Sequence, residues 1–368
     1  MNLLSDAVPL DQVKRALIIK LRHHGDVLLA SPVIATLKSR APSIEIDALI
    51  YADTAPMLAL HPGLDELHTI DRNWKESGSL PRLKAELGLY RRLATRRYDL
   101  LIHLSESWRG AWLARSLGAR WAVAPERRNA GRWWRTSFSH LVPSPRAGGR
   151  HTVESNFDAL RRIGIQPAEG ERQLLLVPGE SARQMIRTLL SEHGLQAQRF
   201  VHLHPASRWK FKCWTPQGWA DIIARLEAGG WPVVLTSSPD AGELAIISAV
   251  RQRLARPVVD LSGRLGLKEM AALAGEARLF IGVDSAPTHI AAAMRTPAVA
   301  LFGPSGADLW GPWGTPRLGR HRVVASIRHS CRPCGLDGCG GGKVSDCLET
   351  LDAESVWRAV SAELQGLP

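Results

Sequence analysis

The chain has 368 residues, enough for two domains of ordinary size. Its 45% hydrophobic and 22% charged residues exclude wholesale disorder. Forty-seven basic residues against 35 acidic ones leave a net charge of +12, which favours an anionic partner: nucleic acid, a membrane surface or a phosphorylated substrate. Five cysteines are too few for a disulfide scaffold, no apolar run reaches about 18 residues, and Met1 to Arg15 lack the pattern of a secretory leader. A cytoplasmic chain with reduced thiols is expected.

In chain order, β-rich apolar runs alternate with helical patterns, the signature of parallel α/β structure. Ala16–Leu21 reads as a strand, His23 to Asp26 as a turn and Val27–Ser39 as a helix. Strands at Ile44–Ile50, Leu67–Ile70 and Asp99–Leu104 follow, with helices at Thr54–Leu60, Trp108–Leu117 and Thr152–Ile163. Gln166–Glu171 reads as a linker. The pattern then restarts, with strands at Phe200–His204, Pro232–Ser237, Val258–Leu261, Arg278–Val283 and Pro297–Phe302. Helices are expected at Pro216–Glu227, Ala241–Leu254, Leu267–Ala274 and Ala286–Met294. The expected architecture is α/β, with two Rossmann-like domains, residues 1–170 and 171–368, whose parallel sheets face one cleft. The amphipathic segment Ala353–Leu364 is free to pack back on either domain.

Three strand-end constellations could carry chemistry. Gly25-Asp26 follows the first strand, where doubly wound sheets bind ligands; Asp26 suits a general base, although from the spacing alone a helix N-cap is the better reading. Ser207 to Trp214 sets three cations and a hydroxyl after a strand, as a diphosphate needs, although a solvated basic loop has the same look. Asp284 to His289 runs from a strand into a helix start with Pro287 in the first turn. Helix N-terminal amides bind phosphate; capping by Asp284 or Ser285, with His289 in the core, is the alternative.

A fourth group, Cys331, Cys334, Cys339 and Cys347, could bind zinc, but the spacings differ from a paired C-x2-C site, and structural or oxidation-prone thiols suit them better. Gly342-Lys343 lacks the first glycine and the hydroxyl of a P-loop. His202-x-His204 places two imidazoles on one side of a strand, as packing residues do. No Asp-x-Asp occurs, so no divalent metal is expected.

The charge is local. Residues 91–150 hold 13 arginines, no lysine and three acids, ten of the net twelve charges, with five tryptophans interleaved. Arg with Trp fits nucleic acid, and it equally fits an anionic glycolipid at a membrane interface.

Together, Gly25-Asp26-Val27, Ser207 to Trp214 and Asp284 to His289 resemble glycosyltransferase family nine, the lipopolysaccharide heptosyltransferases. The stretches HPASRWKFKCW (204–214) and CRPCGLDGCGGGKVSDCL (331–348) are similar to its heptosyltransferase III branch. The resemblance runs from about Ala16 to Trp357. It implies a GT-B fold and an inverting, metal-independent transfer of L-glycero-D-manno-heptose from ADP-heptose. The implied acceptor is a heptose in the inner core of lipid A-linked oligosaccharide, at the cytoplasmic face of the inner membrane. It assigns the base to Asp26 and donor contacts to Ser207, Arg208, Lys212, Asp284, Ser285, Ala286, Thr288 and His289. Acceptor contacts are expected on Gly25, Arg127, Arg128, Arg132 and Arg135. Family members often carry Thr-Gly where this chain has Ser285-Ala286. A GT-B transferase using another nucleotide sugar is one competing reading; an Arg/Trp-rich nucleic-acid-binding protein is another.

Overall fold

A computed structural model describes residues 6–76, 78–127, 129–143, 149–314 and 321–366. The chain divides into two units, Met1–Leu176 and Val177–Pro368. The expected linker belongs to the first: Glu169–Arg172 forms a 3-10 turn, and Glu171 accepts from Ser39 Oγ at 2.9 Å and Arg40 Nη2 at 3.0 Å.

The first unit is built on β1 (Arg15–Ile19), β2 (Glu45–Tyr51), β3 (Glu66–Ile70), β4 (Leu100–His103), β5 (Trp121–Pro125) and β6 (His140–Val142). All pair in parallel in the order β3-β2-β1-β4-β5-β6. The second holds β7 (Val201–His204), β8 (Val233–Leu235), β9 (Val259–Asp260), β10 (Leu279–Val283), β11 (Ala298–Phe302) and β12 (His321–Ala325). Their order, β12-β11-β10-β7-β8-β9, repeats the same winding. Both units therefore have the doubly wound Rossmann order, whose ligands bind where the winding reverses: between β1 and β4 in one, between β7 and β10 in the other. The central strands are buried and largely apolar; Leu17, Leu101, Ile281 and Leu301 are all fully buried, and the buried histidines His103, His202 and His204 are exceptions.

The structure departs from the expected elements in several places. The helix predicted over Val27–Ser39 is two, His24–Leu28 and Ser31–Arg40. Pro32 lacks an N–H and its ring would meet the preceding turn, so the second helix starts afresh at Ser31. The stretch after β2 is a 3-10 turn, Ala52–Met57, with Pro56 inside it. Strands β5, β6 and β12 and helices Ser79–Arg96 and Glu180–Glu192 were not expected. The final helix, Ala353–Gln365, packs on the second unit: Val356 and Val360 join its core, and Arg225 bonds Glu354 at 2.7 Å.

Candidate functional site

Asp26 occupies the third position of helix His24–Leu28, with His23 at the N-cap and no side-chain cap. It is therefore not the helix cap. Its side chain is 15% exposed, and Arg22 Nε stands 4.0 Å from Oδ1. Gly25 precedes it inside the same helix rather than in a turn.

A buried cation supports this strand end. Lys20 Nζ donates to Leu104 O and to Asn156 Oδ1, both at 2.9 Å, and Asn156 Nδ2 donates to Leu29 O at 2.9 Å. These bonds tie β1 to the end of β4, to helix Thr152–Arg162 and to the helix carrying Asp26. Burial pushes the Lys20 ammonium down to about 8, and the Asp26 charge partly opposes that. Around the same edge, Arg72 bonds the Asp53 carboxylate at 3.1 and 3.2 Å and Arg22 O at 2.8 Å. Its guanidinium lies 3.7 Å over the Tyr51 ring. His24 Nε2 meets Asp53 O at 3.0 Å. Sequence reasoning missed all of these. Lys20 had a signal, as the lone charge in an apolar strand run; Asp53 and Arg72 pair only through the fold.

Of the expected acceptor arginines, Arg127 follows β5. Its guanidinium lies 4.9 Å over Trp108 and 5.1 Å over Trp134, and Nη1 is buried with no hydrogen-bond partner among the described residues. Arg132 opens the short helix Arg132–Arg135, and Arg135 Nη2 stands 4.0 Å from Glu126 Oε1. Arg128 lies outside the described residues.

In the second unit the two motifs expected to hold the donor follow β7 and β10, the pair at the reversal of winding. Lys212 ends a 3-10 turn, and its Nζ stands 2.6 Å from Asp284 Oδ2. Ser207 is buried and its Oγ accepts from Trp209 N at 3.3 Å; Arg208 is exposed, its guanidinium 5.5 Å from the Trp209 ring centroid. Ser285 is the N-cap of helix Ala286–Ala293 but makes no capping bond, donating instead to Val283 O at 3.3 Å. Thr288 Oγ1 donates to the same carbonyl at 2.7 Å. Neither Asp284 nor Ser285 caps, so the positive end of this helix keeps its pull on an anion. Ala286 is the first helical residue and offers no side chain to crowd it; His289, one turn in, is buried.

The loop after β7 is anchored from below. Trp214 is buried against Trp219, 5.3 Å between centroids, and its Nε1 donates to Leu351 O at 3.0 Å. His202 and His204 both meet Thr236 Oγ1, at 2.8 and 3.0 Å, and burial pushes them to about 3 and about 4. Both are neutral packing groups. All five cysteines are free; Cys347 is buried, and Cys331, Cys334 and Cys339 are exposed. Asp47, Glu66 and His68 converge at the opposite, amino-terminal edge of the first sheet. Arg96 already answers those carboxylates, 2.7 Å from Asp47 and 3.4 Å from Glu66.

Comparison with known proteins agrees with this layout. Residues 87–338 match the family described as glycosyltransferase family 9 (heptosyltransferase). Lipopolysaccharide heptosyltransferase 3 of Escherichia coli is 38% identical over 297 residues, 80% of this chain and 84% of that protein. A glycosyl transferase family 9 structure from Veillonella parvula superposes with TM-score 0.82 at 21% identity, covering 99% of this chain and 100% of its own. E. coli heptosyltransferase WaaC with ADP-2-deoxy-2-fluoro heptose gives 0.71 at 19% identity, covering 95% and 99%. The structural likenesses establish the GT-B fold. The chain is a glycosyltransferase and belongs to glycosyltransferase family 9, the heptosyltransferases.

Proposed function

We propose that this protein transfers L-glycero-D-manno-heptose from ADP-heptose to an inner-core heptose of lipid A-linked oligosaccharide, with inversion and without a divalent metal. The observation that carries the donor half is the uncapped helix start at Ser285 beside the Lys212–Asp284 pair, both at the winding reversal of the second sheet. A departing diphosphate gains negative charge, and a fixed ammonium with helix amides stabilises it without a metal.

Asp26 is the base in this reading. It takes the proton of the acceptor hydroxyl as the anomeric carbon gains oxocarbenium character, and the sugar is delivered to the opposite face from the leaving diphosphate. Arg22 Nε is 4.0 Å away, and the buried Lys20 ammonium adds positive charge beside the same strand end. Arg127, Arg132 and Arg135, with Gly25, present the acceptor side; planar guanidiniums suit phosphate or carboxylate groups on a core glycan. The same relatives and the paired donor motifs weigh against a nucleic-acid-binding role for the arginines.

The test is a mass-spectrometric transfer assay with ADP-heptose, other nucleotide sugars and a panel of truncated core acceptors, with and without EDTA. ADP-heptose alone should support transfer, and EDTA should leave it intact. Asp26→Asn should abolish transfer while ADP binding stays within about twofold; near-normal turnover in that variant would remove Asp26 as the base.

A further inference from the structure

The first unit carries an apolar strip that no element covers among the described residues. Helix Ser79–Arg96 buries Leu89 and Leu93, yet Leu80, Leu83 and Leu87 stay exposed on another face. Their i, i+3, i+7 spacing makes one stripe. Tyr90 continues it, and its ring meets Trp112 at 5.5 Å. Trp112 and Trp108 lie one turn apart on helix Trp108–Ser116, and Trp108 reaches Trp133 at 5.6 Å. The three leucines and three tryptophans are between 42% and 78% exposed. Single exposed apolar residues need no explanation, but a connected row across three elements does.

The surroundings of the strip identify its occupant. Lys84 and Arg91 flank the leucines on the same helix and are exposed. Arg115 lies 5.3 Å over Trp133, and Arg127 4.9 Å over Trp108. A second copy would bring like charge against like charge, which opposes self-association through this face. An anionic bilayer matches it: leucines and indoles sit at the headgroup boundary, while cations meet phosphates.

We propose that helix Ser79–Arg96 together with Trp108, Trp112 and Trp133 is the surface by which this protein docks on an anionic phospholipid bilayer. The proposal rests on the reading of the acceptor as lipid-linked, since docking there delivers the enzyme to its substrate.

The experiment compares the full-length protein with L83E/L87E and with W112S in co-sedimentation on vesicles. One set is phosphatidylethanolamine with phosphatidylglycerol, the other phosphatidylcholine alone. The wild type should bind the anionic vesicles, less so as salt rises, and not the neutral ones. L83E/L87E should bind at least about tenfold more weakly with an unchanged melting temperature, because these leucines are exposed in the folded state. Its kcat/KM should be unchanged on a deacylated, water-soluble acceptor and reduced on the same glycan embedded in vesicles. Equal vesicle binding by wild type and L83E/L87E would overturn the proposal. So would a wild-type dimer that L83E/L87E converts to monomer in sedimentation velocity, which would make the strip an interface between copies. Vesicle binding needs neither donor nor acceptor, so it can fail independently of the transfer reaction. Failure of the wild type to use ADP-heptose with either acceptor form would instead remove the functional reading.

Discussion

Lys212 Nζ lies 2.6 Å from Asp284 Oδ2, and this pair joins the loop after β7 to the helix start after β10. Asp284 is almost fully buried and Lys212 only partly so. The carboxylate thus depends on the lysine for compensation, whereas the lysine keeps an open side for a ligand. Lys212→Ala should weaken ADP binding roughly tenfold to a hundredfold, the worth of a charge-assisted contact of about 1.5–3 kcal/mol. It should also destabilise the fold, since it strands a buried carboxylate. The double variant Lys212→Met with Asp284→Asn removes that penalty. Calorimetry should find stability restored in the double variant and ADP affinity still lost. Recovery of both would show that the lysine serves only the fold.

Lys20 makes a pH-dependent prediction. Its pKa falls from the ordinary lysine value of about 10.4 to about 8 in the folded chain, because burial penalises the charged form. Below about pH 8 the ammonium is charged in both states, and the folded state carries the full cost of burying it. Between about pH 8 and 10.4 the unfolded chain binds more protons, so stability attributable to Lys20 rises with pH. The difference in unfolding free energy between wild type and Lys20→Met should therefore shift towards the wild type by about 2–3 kcal/mol over that window. A flat difference curve from denaturant titrations would contradict the burial seen here.

The amino-terminal edge of the first sheet predicts a slope of the same sign, but at acid pH. Asp47 is buried; burial alone would raise its pKa, but bonds from His68, Arg96 and Tyr98 outweigh that and hold it at about 2. With an unfolded value near 3.9, Asp47 stabilises the fold above about pH 4, and that contribution is lost as pH falls towards 2. Asp47→Asn should remove about 2–3 kcal/mol of stability at neutral pH and flatten the acid limb of the stability curve. Thermal melts between pH 2 and 6 would check it.

Two alternating strand–helix series, and hence the doubled Rossmann winding, could be read from the sequence because buried parallel strands are nearly unbroken apolar runs. Strands β6 and β12 could not: one has three residues, and the other is an edge strand with its outer residues exposed. The motif positions were legible because each follows a readable strand directly. Their pairing was not. Lys212 and Asp284 are far apart in sequence, and only the adjacency of β7 and β10 brings them together. The Arg-rich segment was visible as composition, but composition does not say which side chains face out. Arg127 lies close to both Trp108 and the buried Trp134, while Trp108, Trp112 and Trp133 remain exposed.

Two glycines are held in place by aromatic rings rather than by backbone conformation. A Cβ at Gly218 would sit 2.3 Å from the Trp214 ring, and one at Gly110 would sit 2.3 Å from the His103 ring. Both glycines are inside helices, where alanine ordinarily gains about 1 kcal/mol. Here overpacking should outweigh that gain, with a net loss of about 1–3 kcal/mol in each variant. Gly218→Ala should in addition raise the Kd for ADP, because Trp214 ends the loop that carries Lys212. Gly110→Ala should leave donor affinity unchanged.

Under the proposed function, a variant of Arg127 should affect the acceptor and not the donor. Its guanidinium lies 4.9 Å from the Trp108 ring and 5.1 Å from the Trp134 ring, with Glu106 Oε2 3.9 Å from Nε, so two indoles and a carboxylate hold a planar cation at this strand end. Lysine has neither the plane for stacking nor the fork for bidentate contact. Arg127→Lys should therefore raise the acceptor KM by about tenfold, the worth of one charge-assisted contact, with the Kd for ADP unchanged. Arg132→Gln with Arg135→Gln should raise the acceptor KM less, since both side chains are exposed and screened by solvent. The excess in acceptor KM should shrink at high salt for the double variant more than for Arg127→Lys, because only the exposed pair acts through screened charge. Steady-state kinetics at two salt concentrations, with calorimetry for ADP, would check the ranking. A raised Kd for ADP in either variant would move these arginines to the donor side.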